Sequence, residues 1–198
     1  EKDSRVGGRN QAIRLGEYTF DTGPTFLMLL EVLDEAFRDA GRDMNKLLDL
    51  KRLEPMYRLR FHQSGDFYPV SDEQKMMAEV ERVFPGDGRN YQKFRVQEGR
   101  KFDRVYPCLK VPYDSLLSYL APRFIKAIPR LDPFASVYDR LASYFEHDDL
   151  RIAMTFQAKY LGMSPWQCPA TFTILSVIEH TFGIYHPVGG LNKISEAM

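Results

Sequence analysis

Apolar residues recur at helical spacing over most of this chain, and two stretches break that pattern. Gln11 to Phe20, with Gly16-Glu17 at its centre, reads as a short hairpin. In Lys51 to Val70, the residues Leu53, Met56, Tyr57, Leu59 and Phe61 lead through the turn Ser64-Gly65-Asp66 to Phe67-Tyr68-Pro69-Val70. This reads as a second hairpin, the sheet of a second domain. The remainder predicts helices. Leu27, Leu30, Leu33, Ala36 and Phe37 form the buried stripe of a helix from Phe26 to Ala40, stopped by Gly41. Ser71 caps a helix to Phe84, Pro85-Gly86-Asp87-Gly88 breaks it, and Asn90 starts another towards Tyr106. Tyr113 to Ile128 places Leu116, Leu117, Leu120, Phe124 and Ile125 on one stripe beside Arg123 and Lys126, with Pro122 interrupting it. Phe134 to Phe145 repeats the stripe, Asp148 or Asp149 caps a helix from Leu150 to Tyr160, and a last helix runs from Ala170 to Phe182 and ends at Gly183.

Composition narrows what these elements can do. The 198 residues are 44% hydrophobic, enough apolar material for one large domain or two small ones. Lys+Arg and Asp+Glu are both 27, so no net field draws in nucleic acid, and none is expected as a partner. Cys108 and Cys168 lie far apart, in no CxxC pair and beside no His cluster, which speaks against zinc or a disulfide framework and makes a reducing cytoplasm the default. No apolar run is long enough for a spanning helix. The basic amphipathic stretch from Tyr113 to Ile128 reads either as an ordinary surface helix or as one lying among lipid headgroups.

Both ends carry glycine-rich punctuation. Glu1 is followed by Gly7-Gly8-Arg9, and the chain is expected to begin inside a fold. In a dinucleotide-binding βαβ unit, an acid about twenty residues after a Gly-rich loop accepts hydrogen bonds from the ribose. Glu1 suits that place. Gly7 and Gly8 let backbone approach a pyrophosphate, and Arg9 offers a fork of donors, although Gly-Gly-Arg is also an ordinary turn with a surface cation. At the other end, Pro187-Val188-Gly189-Gly190-Leu191 reads as a turn opening a helix that is cut short.

Glu1 with Gly7-Gly8-Arg9, then Tyr18-Thr19-Phe20-Asp21-Thr22-Gly23-Pro24-Thr25, then Pro187 to Leu191, together resemble the carotenoid desaturases of the phytoene and dehydrosqualene type, within the amine-oxidase-like flavoproteins. Tyr138 to Tyr144, Phe156-Gln157, Gly162, Pro165 and the helix to His180 resemble that family's substrate region. The resemblance implies an α+β fold, in which parts of a Rossmann-like FAD domain (residues 1–25 and 185–198) enclose a mostly helical substrate domain with a small sheet (26–184). It implies FAD as cofactor, held by Glu1, Gly7, Gly8, Arg9, Gly23, Pro24, Thr25, Gly189 and Gly190. It further implies a long hydrophobic isoprenoid as substrate and a cytoplasmic enzyme held peripherally at a membrane surface. The family's phosphate loop before Glu1 and its C-terminal Gly-rich segment are absent from this sequence, so the piece alone is expected not to keep FAD.

A hydrocarbon offers no acidic proton, so the cofactor must carry the oxidation, and no Ser-His-Asp or Cys-His set is found. No catalytic residue is assigned. Of His62, His147, His180 and His186, only His186 falls near the flavin by resemblance. Arg100 lies where the family often carries a basic residue facing its substrate tunnel, but the local pattern departs from the family. Three other readings stay open: a carotenoid isomerase or oxidase, an amine oxidase, and a flavin-free helical module that binds a membrane or partner through Tyr113 to Ile128.

Overall fold

The first expected hairpin forms as read: β1 (Ala12–Leu15) pairs antiparallel with β2 (Tyr18–Asp21), with Gly16 supplying the positive φ of +63° that its tight turn needs. The computed structural model describes residues 5–198, so Glu1 lies outside the described residues. Helix α1 (Leu30–Asp39) begins later than its stripe suggests, because the main-chain N–H and C=O of Leu27 are both taken by Tyr185, at 2.7 and 2.9 Å. A residue committed to a β-bridge cannot also start a helix. Gly41, at φ +70°, ends α1 as expected, with its N–H donated to the Arg38 carbonyl.

Helix α2 (Met44–Leu47), capped by the Asp43 side chain, leads into β3 (Leu50–Arg52). That strand corrects the second hairpin's start, since β3 pairs antiparallel with β6 (Tyr185–Pro187) rather than with the strands that follow it. Behind this pair, Phe37, Met44 and Leu48 meet Leu191 and Ile194, the latter on α9 (Asn192–Ala197). These contacts draw residues up to Met56 together with Phe182–Met198 into one compact unit. Residues 26–56 therefore fold with the two ends, whereas the sequence boundaries grouped them with the helical domain.

The second unit, Tyr57–Thr181, holds the remaining hairpin, β4 (Leu59–Phe61) and β5 (Gly65–Phe67), turned at Ser64-Gly65 as read. Helix α3 (Glu73–Val83) is capped by Asp72 rather than Ser71, its carboxylate accepting from the Lys75 N–H at 2.9 Å. Helix α4 (Gly88–Leu109) is the longest, and its Tyr91, Phe94, Glu98, Lys101, Phe102, Val105 and Cys108 share the buried face. The stripe after Tyr113 is no continuous helix. It breaks into a 3-10 turn, Leu116–Leu120, and α5 (Pro122–Ala127), then a second 3-10 turn, Ile128–Arg130. Pro122 cannot donate an N–H inside a helix, so it starts one.

Helix α6 (Val137–Ala142) opens on a capping box in which Ser136 and Asp139 serve each other's backbone. Helix α7 (Asp148–Met154) is not capped by Asp148 or Asp149. The buried Asp87 carboxylate reaches across instead, accepting from the N–H groups of Glu146 and His147 at 3.0–3.1 Å. After α7 the chain tightens to a 3-10 turn ending at Gly162, and α8 (Thr173–Phe182) ends at Gly183, where φ is +75°. The fold is α+β. All three described sheets are antiparallel pairs, and no parallel βαβ unit occurs among the described residues.

Candidate functional site

Three segments far apart in sequence meet in the first unit, and a repeated short pattern joins them. Gly7-Gly8-Arg9-Asn10 and Gly189-Gly190-Leu191-Asn192 are both Gly-Gly-x-Asn, and the two asparagines clasp each other's segments. The Asn192 amide donates to the carbonyls of Val6 and Asn10, at 3.1 and 3.0 Å. In return the Asn10 amide donates to the Leu191 carbonyl at 2.8 Å and to Ser195 Oγ at 2.9 Å. Asp21, at the end of β2, closes the arrangement by accepting the Leu191 N–H at 2.9 Å. Neither asparagine was singled out from sequence, although the repeated Gly-Gly-x-Asn could have shown them.

The expected cofactor-binding glycines separate into two kinds. A Cβ on Gly23 would lie 2.3 Å from the Arg9 carbonyl oxygen, one on Gly190 2.8 Å from the Asp21 carboxylate, and one on Gly7 2.8 Å from the Asn192 amide. Those three glycines are demanded by the protein's own close approaches. Gly8, at φ +50°, has nothing within 4 Å of its missing side chain, and Gly189 faces only the flexible Lys193. These two leave backbone open to a ligand. Pro24 and Thr25 are exposed beyond Gly23, and the Thr25 carbonyl is 2.7 Å from His186 Nδ1. That contact fixes the Nδ1–H tautomer of His186 and gives this histidine a structural partner.

A cleft of about 250 Å³ adjoins the clasp, lined by Arg5, Ala12, Arg14, Thr19, Gly189, Asn192, Lys193 and Glu196, the last two paired at 2.6 Å. Arg9 is exposed at the 3-10 turn Gly8–Asn10. Asn10 Oδ1 is buried and accepts no hydrogen bond among the described residues. The Arg5 and Arg14 side chains and the open backbone at Gly189 suit an anion. A phosphate such as that of a dinucleotide fits this donor set. The clasp's Asp21 carboxylate and Ser195 hydroxyl are both engaged within it.

The second unit holds the strongly perturbed groups. Glu98 is fully buried and receives Lys101 Nζ at 2.7 Å, Arg140 Nε at 2.8 Å and the Thr173 hydroxyl. Burial pushes its carboxyl up, but the Lys101 charge and these hydrogen bonds outweigh burial and hold it below the usual carboxylate range. Asp132, at 2.9 Å, pairs Lys101 from its other side. Glu179 is also buried, and here burial prevails, raising its carboxyl despite donation from the Tyr57 and Tyr160 hydroxyls and the Gln157 amide. His180 is pushed down to about 3, first by burial and then by the Arg95 charge, so it is neutral at physiological pH. Glu98 and Glu179 are engaged in hydrogen bonds within the unit, whereas His180 Nδ1 is buried without a partner among the described residues.

Of the other histidines, His62 is exposed and His147 Nε2 lies 3.1 Å from the Pro85 carbonyl. Arg100 is exposed on α4. Among the described residues no three His, Cys, Asp or Glu side chains group as a metal site, both cysteines are free and buried, and no helix is long and apolar enough to cross a membrane.

No family model matches the chain. Individual curated proteins do, over its whole length. It is 46% identical over 198 residues to a 4,4'-diapophytoene desaturase (4,4'-diapolycopene-forming) of a Methylomonas species, covering all of this chain and 39% of that protein. It is 36% identical over 202 residues to the zeta-carotene-forming phytoene desaturase of Myxococcus xanthus, covering 38% of it. It is 30% identical to the neurosporene-forming phytoene desaturase of Rhodobacter capsulatus, covering 98% of this chain and 37% of that protein. The chain thus spans less than two fifths of the length of these relatives.

Proposed function

We propose, from the premise that this chain is homologous along its whole length to the phytoene and diapophytoene desaturases, that it forms part of an FAD-dependent desaturase of carotenoid biosynthesis. Such an enzyme removes two hydrogens from a C–C single bond of a long isoprenoid. The observation that carries this reading is the convergence of Gly7–Asn10, Asp21–Thr25 and Pro187–Asn192 on one clasp, in a chain 46% identical to a diapophytoene desaturase. Bound FAD would supply the electron acceptor that no side chain here provides.

The roles of this chain's residues follow from their surroundings. Gly8 and Gly189 admit the cofactor to the backbone, while Arg5 and Arg14 in the cleft and the exposed Arg9 offset phosphate charge. Glu1 is read as the ribose acceptor. Gly23, Pro24 and Thr25 pass near the flavin, with Gly23 making room for the Arg9 carbonyl, Gly190 for Asp21 and Gly7 for Asn192. We read the first unit as part of a Rossmann-like FAD domain and the second as the substrate unit, which orients an apolar chain and excludes water. The enzyme is read as cytoplasmic and peripheral at a membrane. Leu116, Leu117 and Leu120, 65–87% exposed, favour headgroup insertion over an ordinary surface helix.

Expression of the complete gene product in a host that makes phytoene or diapophytoene tests the activity. The expected result is a carotenoid with a longer conjugated system and absorption at longer wavelength. Unchanged substrate in cells containing folded protein would reject the proposal.

A further inference from the structure

Between residues 100 and 130 the second unit exposes six cations, Arg100, Arg104, Lys110, Arg123, Lys126 and Arg130, against two carboxylates, Asp103 and Asp114. The chain as a whole carries no net charge, so this is a local concentration. Three of the six converge. Arg100 and Arg104 stand one turn apart on α4, and Arg130 lies on the 3-10 turn that packs against α4. With Asp103 they line one depression of about 390 Å³. No ion pair engages the three guanidiniums among the described residues.

The direction of the chain explains why they meet. Cys108 Sγ lies 3.6 Å from the Arg123 carbonyl, which sets the start of α5 beside the end of α4. From there α5 and the following turn run back along α4, bringing Arg130 to Arg100 and Arg104. That segment and the 3-10 turn before it bear exposed apolar residues: on the turn Leu116 is 87% exposed, Leu117 74% and Leu120 65%, and on the segment Ile125 and Ile128 are about half exposed. An apolar surface bordered by guanidiniums meets the two layers of a lipid interface, acyl chains and phosphates, in order.

We propose that the Arg100–Arg104–Arg130 depression is a binding site for the phosphate of an anionic phospholipid headgroup. Guanidinium forks match phosphate oxygens, and a site of this volume admits a headgroup larger than phosphate alone. Asp103 beside them accepts from a headgroup hydroxyl, so phosphatidylglycerol suits the lining better than inorganic phosphate. This rests on the membrane-surface reading above and adds a specific lipid class to it.

Vesicle co-sedimentation of the complete gene product separates the two levels. Vesicles of phosphatidylcholine alone, and of phosphatidylcholine with phosphatidylglycerol, are compared for wild type, the triple variant Arg100→Gln/Arg104→Gln/Arg130→Gln, and Leu117→Ser/Leu120→Ser. A charge-matched control, Lys75→Gln/Arg89→Gln/Lys93→Gln, removes three exposed cations at α3 and the start of α4. The triple variant is expected to lose tenfold or more of its phosphatidylglycerol binding, on the order of what three interfacial cations contribute, and to keep its phosphatidylcholine binding. The leucine variant is expected to lose both, and the control neither. A triple variant that binds like the control overturns the site while leaving the membrane reading intact. Wild type that sediments with neither vesicle overturns both. Release of the protein from phosphatidylglycerol vesicles by inorganic phosphate, without the same release by matched chloride, would reassign the pocket to free phosphate. Circular dichroism and melting of each variant confirm that folded protein is compared.

Discussion

The first unit joins its distant segments with neutral amides, main-chain carbonyls and one carboxylate at a half-exposed surface, whereas the second buries ionised groups at its centre. Asn192 donates to two main-chain carbonyls, Asn10 to one carbonyl and the Ser195 hydroxyl, and Asp21 accepts one N–H; the core behind them is small, built around Phe37, Met44, Leu48, Leu191 and Ile194. The second unit buries two sets of touching rings, Phe67 with Phe84 and Phe94 with Tyr91 and Phe145, and still encloses Glu98, Lys101, Glu179 and His180. Parting a buried ion pair strands a charge, whereas parting the clasp loses hydrogen bonds alone. The two units therefore differ in what it costs to separate their segments.

The largest effect should come from stranding that charge. Lys101→Met leaves Glu98 buried with only the half-buried Arg140 as counter-ion, and about 3 kcal/mol of the second unit's stability should be lost. Urea unfolding measures it, and a loss under 1 kcal/mol would mean that the charges are not isolated from water. Asn192→Ala removes two donors from the clasp and should cost roughly 1–3 kcal/mol. Hydrogen exchange should rise near Val6, Asn10 and Leu191 and stay unchanged along α4; a matching rise in α4 would erase the distinction between the units.

Acid sharpens the comparison because His180 is neutral in the fold. Its folded value of about 3 lies below the ordinary 6.5, so the stability it contributes is full above pH 6.5 and is lost as pH falls towards 3. Lowering pH from 6.5 to 5 should cost the second unit about 2 kcal/mol through this group, and His180→Asn should flatten that slope. Glu98, with its lowered carboxyl, adds stability that is lost as pH falls through its folded value. Glu179 acts oppositely: its raised carboxyl favours the fold at low pH, and that contribution is lost as pH rises through the folded value. An equally steep slope in the His180→Asn variant would assign the acid sensitivity elsewhere.

The smallest effects separate the glycines. Gly23→Ala forces a methyl to 2.3 Å from the Arg9 carbonyl and should cost about 1–3 kcal/mol, while Gly8→Ala meets no atom and should cost about 1 kcal/mol for its left-handed backbone. Equal melting shifts would contradict the division into glycines that the fold requires and glycines that face a ligand.

Local signals were legible in the sequence, and long-range ones only where a motif carried them. The Gly16 and Gly65 turns, the Gly41 and Gly183 stops, and the Pro122 interruption follow from backbone chemistry that each residue carries alone. The late start of α1 was hidden because it depends on Tyr185, more than 150 residues away. The α7 cap was hidden likewise, since Asp87 lies outside the helix it serves. The burial of Glu98 and Lys101 on α4 was hidden because Arg140 and Thr173, far along the chain, decide it. The three glycine-rich motifs did meet, as the resemblance implied, but the asparagines that join them were visible only as a repeated Gly-Gly-x-Asn.

The central claim is that this clasp holds a flavin through backbone left open at Gly8, and flavin content measures it most directly. The complete gene product should purify with flavin absorbance near one equivalent per chain. Gly8→Val, which places a branched side chain into that open space, should fold and lose most of it. A colourless wild type, or a Gly8→Val variant that keeps its full flavin, would contradict the account.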